Sequence, residues 1–486
     1  MISVQQLRYR SIRFVIHHQH FFLSAGIILG LMGSAMAIGW LSKRGISFLS
    51  LILAGTFLAL GLLIGYRLGR FEYGILAVPI TAGLVNFYTL PTGTESRIVF
   101  SLLISLGMVG VWILQLFLSK DRVFLKPSSL NRPVKLFVVV SFISYFWSIL
   151  LRDPQVFVWN SFPYVQLAAL AVNVTLPLFA LFVANKIEDM RWLKYIAWIV
   201  VGLGAFIIFS IVTKDGLNRL FFNGSRGLFA TWACAICYAL ALFDKNLSRW
   251  VRLALLGVVL AWLYYYYVLN VVWLSGWIPI VIACAVITFF RSRRLFVIGV
   301  IIGTLYLALD YNKLYQQIVV SNINEGSAGR IILWEINIDL VMKHPLFGVG
   351  PAGYAVYYMT YNPTDARSTH NNYFDVLAQT GIVGFVIFIW MMITFLKLAN
   401  RARLIVKNRE TFSEAFAAAV IGGGVASMVA MMLGDWVLPF AYNQTITGFD
   451  NASFTWLFLG GGVALYQILK AKGTLRPDDI TSVETI

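Results

Sequence analysis

The sequence predicts an all-α integral membrane protein, with about 14 transmembrane helices and one long loop between them. Composition, evenly spaced apolar runs and the placement of positive charge carry that expectation. Of 486 residues, 59% are hydrophobic and only 12% are charged, with a mean hydropathy of +0.78. A soluble domain carries roughly 25% charged residues, so most of this surface faces membrane lipids. The net charge of +17 would suit nucleic acid. Here the cations sit in short loops between apolar runs, where they anchor a membrane protein, and no nucleic-acid partner is expected.

A helix needs about 20 apolar residues to cross a bilayer. Such runs fall near 21–40, 47–65, 73–90, 99–118, 134–151, 163–184, 193–213, 227–243, 251–268, 272–290, 294–309, 375–396, 414–434 and 453–469. The ninth and tenth are nearly continuous, which leaves a re-entrant pair open. Arg8, Arg10 and Arg13 before the first run, with Ala35-Met36-Ala37 near its end, mimic a signal peptide. That run is long enough to span, so an uncleaved first helix is expected.

With the N-terminus in the cytoplasm, 27 of the 38 Lys and Arg residues fall in segments that alternate on that side. The positive-inside rule then places both termini in the cytoplasm, although the Lys43-Arg44 loop falls on the wrong side. The chain divides into a transmembrane bundle (1–309), a long external loop (310–372), C-terminal transmembrane helices (373–470) and a cytoplasmic tail (471–486). No sequence repeat of 20–50 residues is apparent.

Cys234, Cys237 and Cys284 all lie inside apolar runs. The C-x-x-C spacing of the first two is ordinary packing on a membrane helix. No second pair or nearby histidine completes a zinc site.

The long loop has local structure of its own. Ile331, Trp334, Ile338 and Val341 recur at helical spacing, with Glu335 and Asp339 off that stripe, which predicts an amphipathic helix from Gly329 to His344. His344-Pro345 ends it, since proline disfavours helix at the residue before it. Gly348-Val349-Gly350-Pro351 makes a tight turn. Tyr354, Tyr357, Tyr358 and Tyr361 follow, suited to an interface or to stacking on sugar rings.

Few ionisable groups face the loop side. His370, in Ser368-Thr369-His370-Asn371, lies where the loop re-enters the membrane. Histidine moves a proton near neutral pH, and an ionisable group at that depth is costly. The bland alternative is a histidine bonding a loop carbonyl. Arg330 starts the amphipathic helix and can grip a phosphate bidentately, or lie solvated at the headgroups. Arg226, in Asn223-Gly224-Ser225-Arg226-Gly227, sits at a helix mouth where amides also attract anions. His344 reads as a helix-ending residue rather than a catalyst, and Asp435-Trp436 as a second acid or base or as a helix end beside an interface tryptophan. Metal-ligand spacing, a phosphate loop and Gly-x-Ser-x-Gly are all missing, so no metal or cofactor is expected.

The stretch from Gly329 to Gly384 resembles the O-antigen ligase and polymerase (Wzy-like) family. One block is Arg330-x-x-x-Trp334 followed by His344-Pro345-Leu346-Phe347-Gly348-Val349-Gly350-Pro351. The other is His370-Asn371, nine residues, then Gly381-Ile382-Val383-Gly384. The resemblance implies a metal-independent glycosyltransferase of the GT-C type in the bacterial inner membrane, acting on its periplasmic face. Its donor would be an undecaprenyl-diphosphate glycan and its acceptor a glycan or lipid A-core. Other polysaccharide-assembly proteins are possible partners. The family's histidine maps onto His370 and its long-loop arginine onto Arg330, the two catalytic candidates. Asn371, Trp334, Tyr354 and Tyr357 are expected at the substrate, and Gly348, Gly350, Gly381 and Gly384 as the structural motif. A further family arginine lies upstream, where this chain reads Trp273-Leu274-Ser275-Gly276-Trp277. Arg226, or failing that Arg219, would take its role. Repeat-unit polymerase is the nearest alternative. A transporter would show inverted repeats and midplane charges, which are not evident, and a non-catalytic assembly partner is the remaining class.

Overall fold

A computed structural model describes residues 71–84, 89–91, 97–118, 125–160, 162–213, 227–269, 274–316, 320, 329–361, 367–441 and 448–473. The expected spans at 21–40 and 47–65 lie outside these residues. The rest is helical apart from one small hairpin, in which β1 (Thr89–Pro91) pairs antiparallel with β2 (Arg97–Val99). In chain order the helices are α1 (Phe71–Leu84), α2 (Phe100–Leu118), α3 (Asn131–Leu150), α4 (Phe162–Lys186), α5 (Met190–Thr213), α6 (Phe229–Phe243), α7 (Arg249–Tyr264), α8 (Leu274–Arg291), α9 (Arg293–Leu309), α10 (Tyr311–Tyr315), α11 (Arg330–Lys343), α12 (Gly353–Tyr361), α13 (Asn372–Val406), α14 (Phe412–Ala430) and α15 (Gly448–Ala471).

Among the described residues, nine helices are long and apolar enough to cross a membrane. The chain is an all-α membrane protein, as its composition requires. The boundaries follow local chemistry. Ser248 and Ser292 cap α7 and α8's successor α9, their hydroxyls accepting from the amides of Val251 and Leu295, each at 3.3 Å. Each member of the suspected re-entrant pair is long enough to cross alone, as 249–269 and 274–291. A π-helical turn at Tyr265–Leu269 closes the first of them.

The core lies along α4, α14 and α15, whose spanning windows are 72%, 78% and 89% buried. Lipid offers no hydrophobic drive for helix association, so close packing by small residues has to supply it. Gly422-Gly423-Gly424 on α14 and Gly460-Gly461-Gly462 on α15 serve that purpose. A Cβ on Gly460 would stand 2.4 Å from the Ala180 carbonyl oxygen of α4, and one on Gly423 would stand 2.4 Å from the Trp232 ring of α6. The Trp232 indole N–H is satisfied within the core, donating to Thr455 Oγ1 at 2.9 Å. The cysteines are free thiols in this packing, with Cys234 and Cys237 buried. At the periphery α9 buries none of its residues, and its apolar surface suits lipid all round.

At the ends away from the long loop, Glu410 joins two spans. It pairs with Lys245 Nζ at 2.5 Å and with Arg291 Nη1 at 3.2 Å.

The long loop adds a second, smaller core. Leu333 and Leu340 of α11, Val349, Tyr354, Ala355 and Tyr358 of the following segment, Ala378 of α13 and Phe440 pack together. The face of the amphipathic helix that meets protein follows the sequence stripe only in part, at Val341. Its buried residues are Leu333, Asn337, Leu340 and Val341, whereas Ile331 and Ile338 are 51% and 48% exposed. α11 is apolar on both flanks, so periodicity alone could not say which flank meets protein.

Replacing Gly460 with leucine forces a side chain into the α4 backbone. Overpacking of this kind costs about 1–3 kcal/mol, and the backbone neighbour puts it at the upper end. Gly110→Leu enters open space and serves as the comparison. Thermal melts of detergent-purified protein should show a clear loss for the first and little change for the second.

Candidate functional site

Two backbone devices position the site. The first is a break in α13. Gly381 adopts φ +65° and ψ −172° inside the helix, a conformation reached by glycine almost alone. The break frees carbonyls and amides that lipid cannot satisfy. The Gly348–Gly350 turn satisfies them. Val349 N–H donates to Ala378 O at 2.8 Å and Gly350 N–H to Gln379 O at 3.1 Å, while Ile382 N–H donates to Pro345 O at 2.8 Å.

The fit leaves no room for side chains. A Cβ on Gly348 (φ +66°) would lie 2.2 Å from Ala378 O, and one on Gly381 would lie 2.3 Å from Leu346 O. Gly350 (φ +84°) abuts Ser148 and Gln166 of α3 and α4, and Gly384 abuts Thr380. The Gln379 side chain seals the joint, its Oε1 accepting from Ala352 N–H at 3.1 Å and Asn173 Nδ2 at 3.3 Å. The two sequence blocks thus meet in space at Gly348 and Gly381.

The second device is the turn that carries His370. His370 itself sits at φ +52°, an uncommon backbone for a residue with a Cβ, and its N–H donates to Ser368 Oγ at 3.1 Å. Neighbours hold this turn on three sides. From α11, Trp334 Nε1–H donates to Thr369 O at 2.9 Å and its ring stacks on Phe374 at 5.4 Å. From α13, buried Asp375 Oδ1 accepts from Thr369 N–H at 3.0 Å and Thr369 Oγ1–H at 2.7 Å. Asn372 ties the start of α13 to the segment after α14, donating to Leu438 O at 2.7 Å and accepting from Val437 N–H at 2.8 Å. Asp435 in that segment is buried and accepts from Phe440 N–H at 3.2 Å.

The Trp334–Thr369 bond joins the first turn of α11 to the residue before His370, which brings Arg330 beside the imidazole. His370 is largely buried, and its pKa is pushed from 6.5 down to about 4, first by burial and then by the guanidiniums of Arg330 and Arg367. The imidazole is therefore neutral at pH 7. Gly329 gives α11 no side-chain cap, so the amides of that first turn add to the positive field around Arg330.

The remaining expected site residues fall into different places. Asn371 caps α13, its side chain accepting from Tyr373 N–H at 3.0 Å. Tyr354 is fully buried and donates to Leu333 O at 2.9 Å. Burial first, then nearby Asp375, pushes its pKa up. Asn371, Trp334 and Tyr354 therefore spend polar atoms on bonds within the protein framework. Tyr357 stands with a separate pair at the other end of α11. There its hydroxyl accepts from Asp153 N–H at 3.4 Å and its ring meets His344 edge-on. His344 is the C-cap of α11 and lies 3.2 Å from Asp153 Oδ2. Arg219 and Arg226 lie outside the described residues. Arg367 was not singled out from the sequence. Its one signal was its place three residues before His370 on the same turn. Among the described residues no three His, Cys, Asp or Glu side chains gather to hold a metal ion.

The interlock predicts a graded response. Gly381→Ala suffers backbone strain of about 1–3 kcal/mol in addition to its clash with Leu346. It should lower the melting temperature and speed trypsin cleavage after Lys343. Trp334→Phe keeps the stack and loses one hydrogen bond worth about 1 kcal/mol, so its loss should be smaller. Equal melting of Gly381→Ala and the parent protein would contradict the interlock.

No curated protein matches the chain. A family model described as O-Antigen ligase matches residues 271–389, from the start of α8 through α11, the glycine joint and the His370 turn to the middle of α13. Over that stretch, which holds both blocks of the motif, the chain is similar to the O-antigen ligase family.

Proposed function

We propose that the chain transfers an undecaprenyl-diphosphate-linked glycan to an acceptor on the periplasmic face of the bacterial inner membrane. The family match over 271–389 supports the coarser reading, a glycosyl-transferring enzyme of cell-surface glycan assembly. One observation supports the finer one: the His370 imidazole, on a braced turn at the mouth of a membrane helix, feels the guanidiniums of Arg367 on that turn and of Arg330 at the start of α11.

The chemistry follows from those groups. The acceptor hydroxyl oxygen forms a bond to the anomeric carbon of the donor sugar. The bond from that carbon to the diphosphate oxygen breaks, and undecaprenyl diphosphate leaves with the electron pair. His370 takes the hydroxyl proton. Arg330 offsets the charge growing on the departing diphosphate, and a fixed guanidinium does so without reorganising. The polyprenyl tail lies in lipid along the exposed Ile331, Ile338 and Met342 flank of α11. The acceptor is a lipid A-core or a growing glycan. Purified protein given only undecaprenyl-linked repeat units separates these, since chain growth marks a polymerase and none a ligase.

His370→Ala and Arg330→Ala should each abolish transfer while membrane insertion stays normal. Full transfer by either purified variant would refute the assignment. The pH profile gives an independent check. Protonation removes the base, so activity falls as pH drops through the pKa. The acid limb of kcat/KM reports the free enzyme and should fall near pH 4 rather than near 6.5.

A further inference from the structure

We propose that Arg367 is a second phosphate-gripping guanidinium beside Arg330, and that a diphosphate held by the two turns His370 into an effective base. This rests on the donor reading above, and it names a residue of that site together with the order in which the site fills.

The argument starts from placement. Arg330 opens α11, and Arg367 precedes His370 by three residues on the turn before α13. The two elements are fastened together by the Trp334–Thr369 hydrogen bond and the Trp334–Phe374 stack. The turn is fastened from below by Asp375 through Thr369. Arg330 lies one helical turn before Trp334 and Arg367 three residues before His370, and both guanidiniums act on the imidazole.

The titratable groups around this turn are Arg330 from α11, Arg367 on the turn, Asp375 on α13, Asp435 after α14 and Tyr354 from α12. The two arginines act on His370 electrostatically, and both oppose a second positive charge on it. The carboxylate of Asp375 is directed to Thr369 beneath.

A guanidinium presents paired N–H donors that match phosphoryl oxygens. Two guanidiniums match the two phosphoryl groups of a diphosphate. An anion seated there reverses the local field. The arginines' repulsion of imidazolium is then offset, and the imidazole gains proton affinity. The empty site therefore holds a weak base, and the loaded site a stronger one. Donor binding precedes activation of the acceptor hydroxyl, and an acceptor arriving first meets an idle imidazole.

The test follows the His370 ring by NMR in full-length protein labelled with ¹³C-histidine, in phosphatidylcholine nanodiscs. His370→Gln assigns the resonance. The wild type should titrate near pH 4 alone, and about one unit higher or more with saturating inorganic pyrophosphate. Arg367→Gln should begin higher and respond less, while Arg367→Lys should keep much of the response and shows that the turn still folds. An unchanged wild-type titration with pyrophosphate overturns the proposal, and needs no variant. So does an Arg367→Gln protein that matches the wild type in both states. A shift of full size from phosphatidylglycerol nanodiscs without pyrophosphate also overturns it, because the site would then recognise lipid headgroups in general. A wild type that responds to pyrophosphate but transfers no glycan from polyprenyl-diphosphate donors would retire the transfer reading and leave the diphosphate site standing.

Discussion

A backbone that leaves helical geometry inside a membrane has to find new hydrogen-bond partners, because the bilayer interior offers none. Everything at the loop side of this protein depends on how that requirement is met at Gly381. The break exposes the carbonyls of Ala378 and Gln379, and the Gly348–Gly350 turn supplies amides to both. In return the carbonyl of Pro345 receives the amide of Ile382 beyond the break. Neither segment could hold its shape alone. The glycines are needed on both partners because each backbone approaches the other more closely than a Cβ permits.

This joint explains why a polar loop can carry a site with fixed geometry. α11 and α12 share a small apolar core that reaches Ala378 on α13, so the loop is docked on the same helix whose first residues follow His370. A left-handed histidine is a strained choice. It persists because Trp334, Asp375 and Asn372 hold the residues on either side of it. The imidazole that results is largely buried, neutral and flanked by cations, which is the opposite of a solvated surface histidine.

The fold was legible in the sequence to the extent that it depends on hydropathy. Every apolar run within the described residues contains a helix, nine of them long and apolar enough to cross a membrane while α1, α6 and α9 are shorter, since a stretch of some 20 apolar residues has few other solutions. The end of α11 was legible too, because His344-Pro345 is a local stop. Which side of α11 faces the protein was not, because Leu333, Leu340, Ile331 and Ile338 make both flanks apolar and only tertiary packing selects one. Within the site, the spacing of the glycine blocks was visible while its meaning was not, since the two blocks are about 30 residues apart and meet only through the break. The tyrosines of 354–361 read from their type as suited to an interface or to sugar rings, and Trp334 as part of a motif block. The bonds that Tyr354 and Trp334 make to Leu333 O and Thr369 O depend on the fold and had no signal in the sequence. Arg367 carried no motif of its own, and its relevance appears only when the turn is folded.

The exposed flank of α11 has a further consequence. Ile331, Ile338 and Met342 point away from the protein, and an apolar flank beneath a charged one is the pattern of a helix that floats at a membrane surface. Arg330 rides on that float, so the depth of the guanidinium is referenced to the bilayer as well as to the bundle. In a thinner or thicker membrane the float and the spanning helices would settle at different heights. The joint at Gly381, where the segment after α11 meets α13, is the place where such a difference in height would first fall.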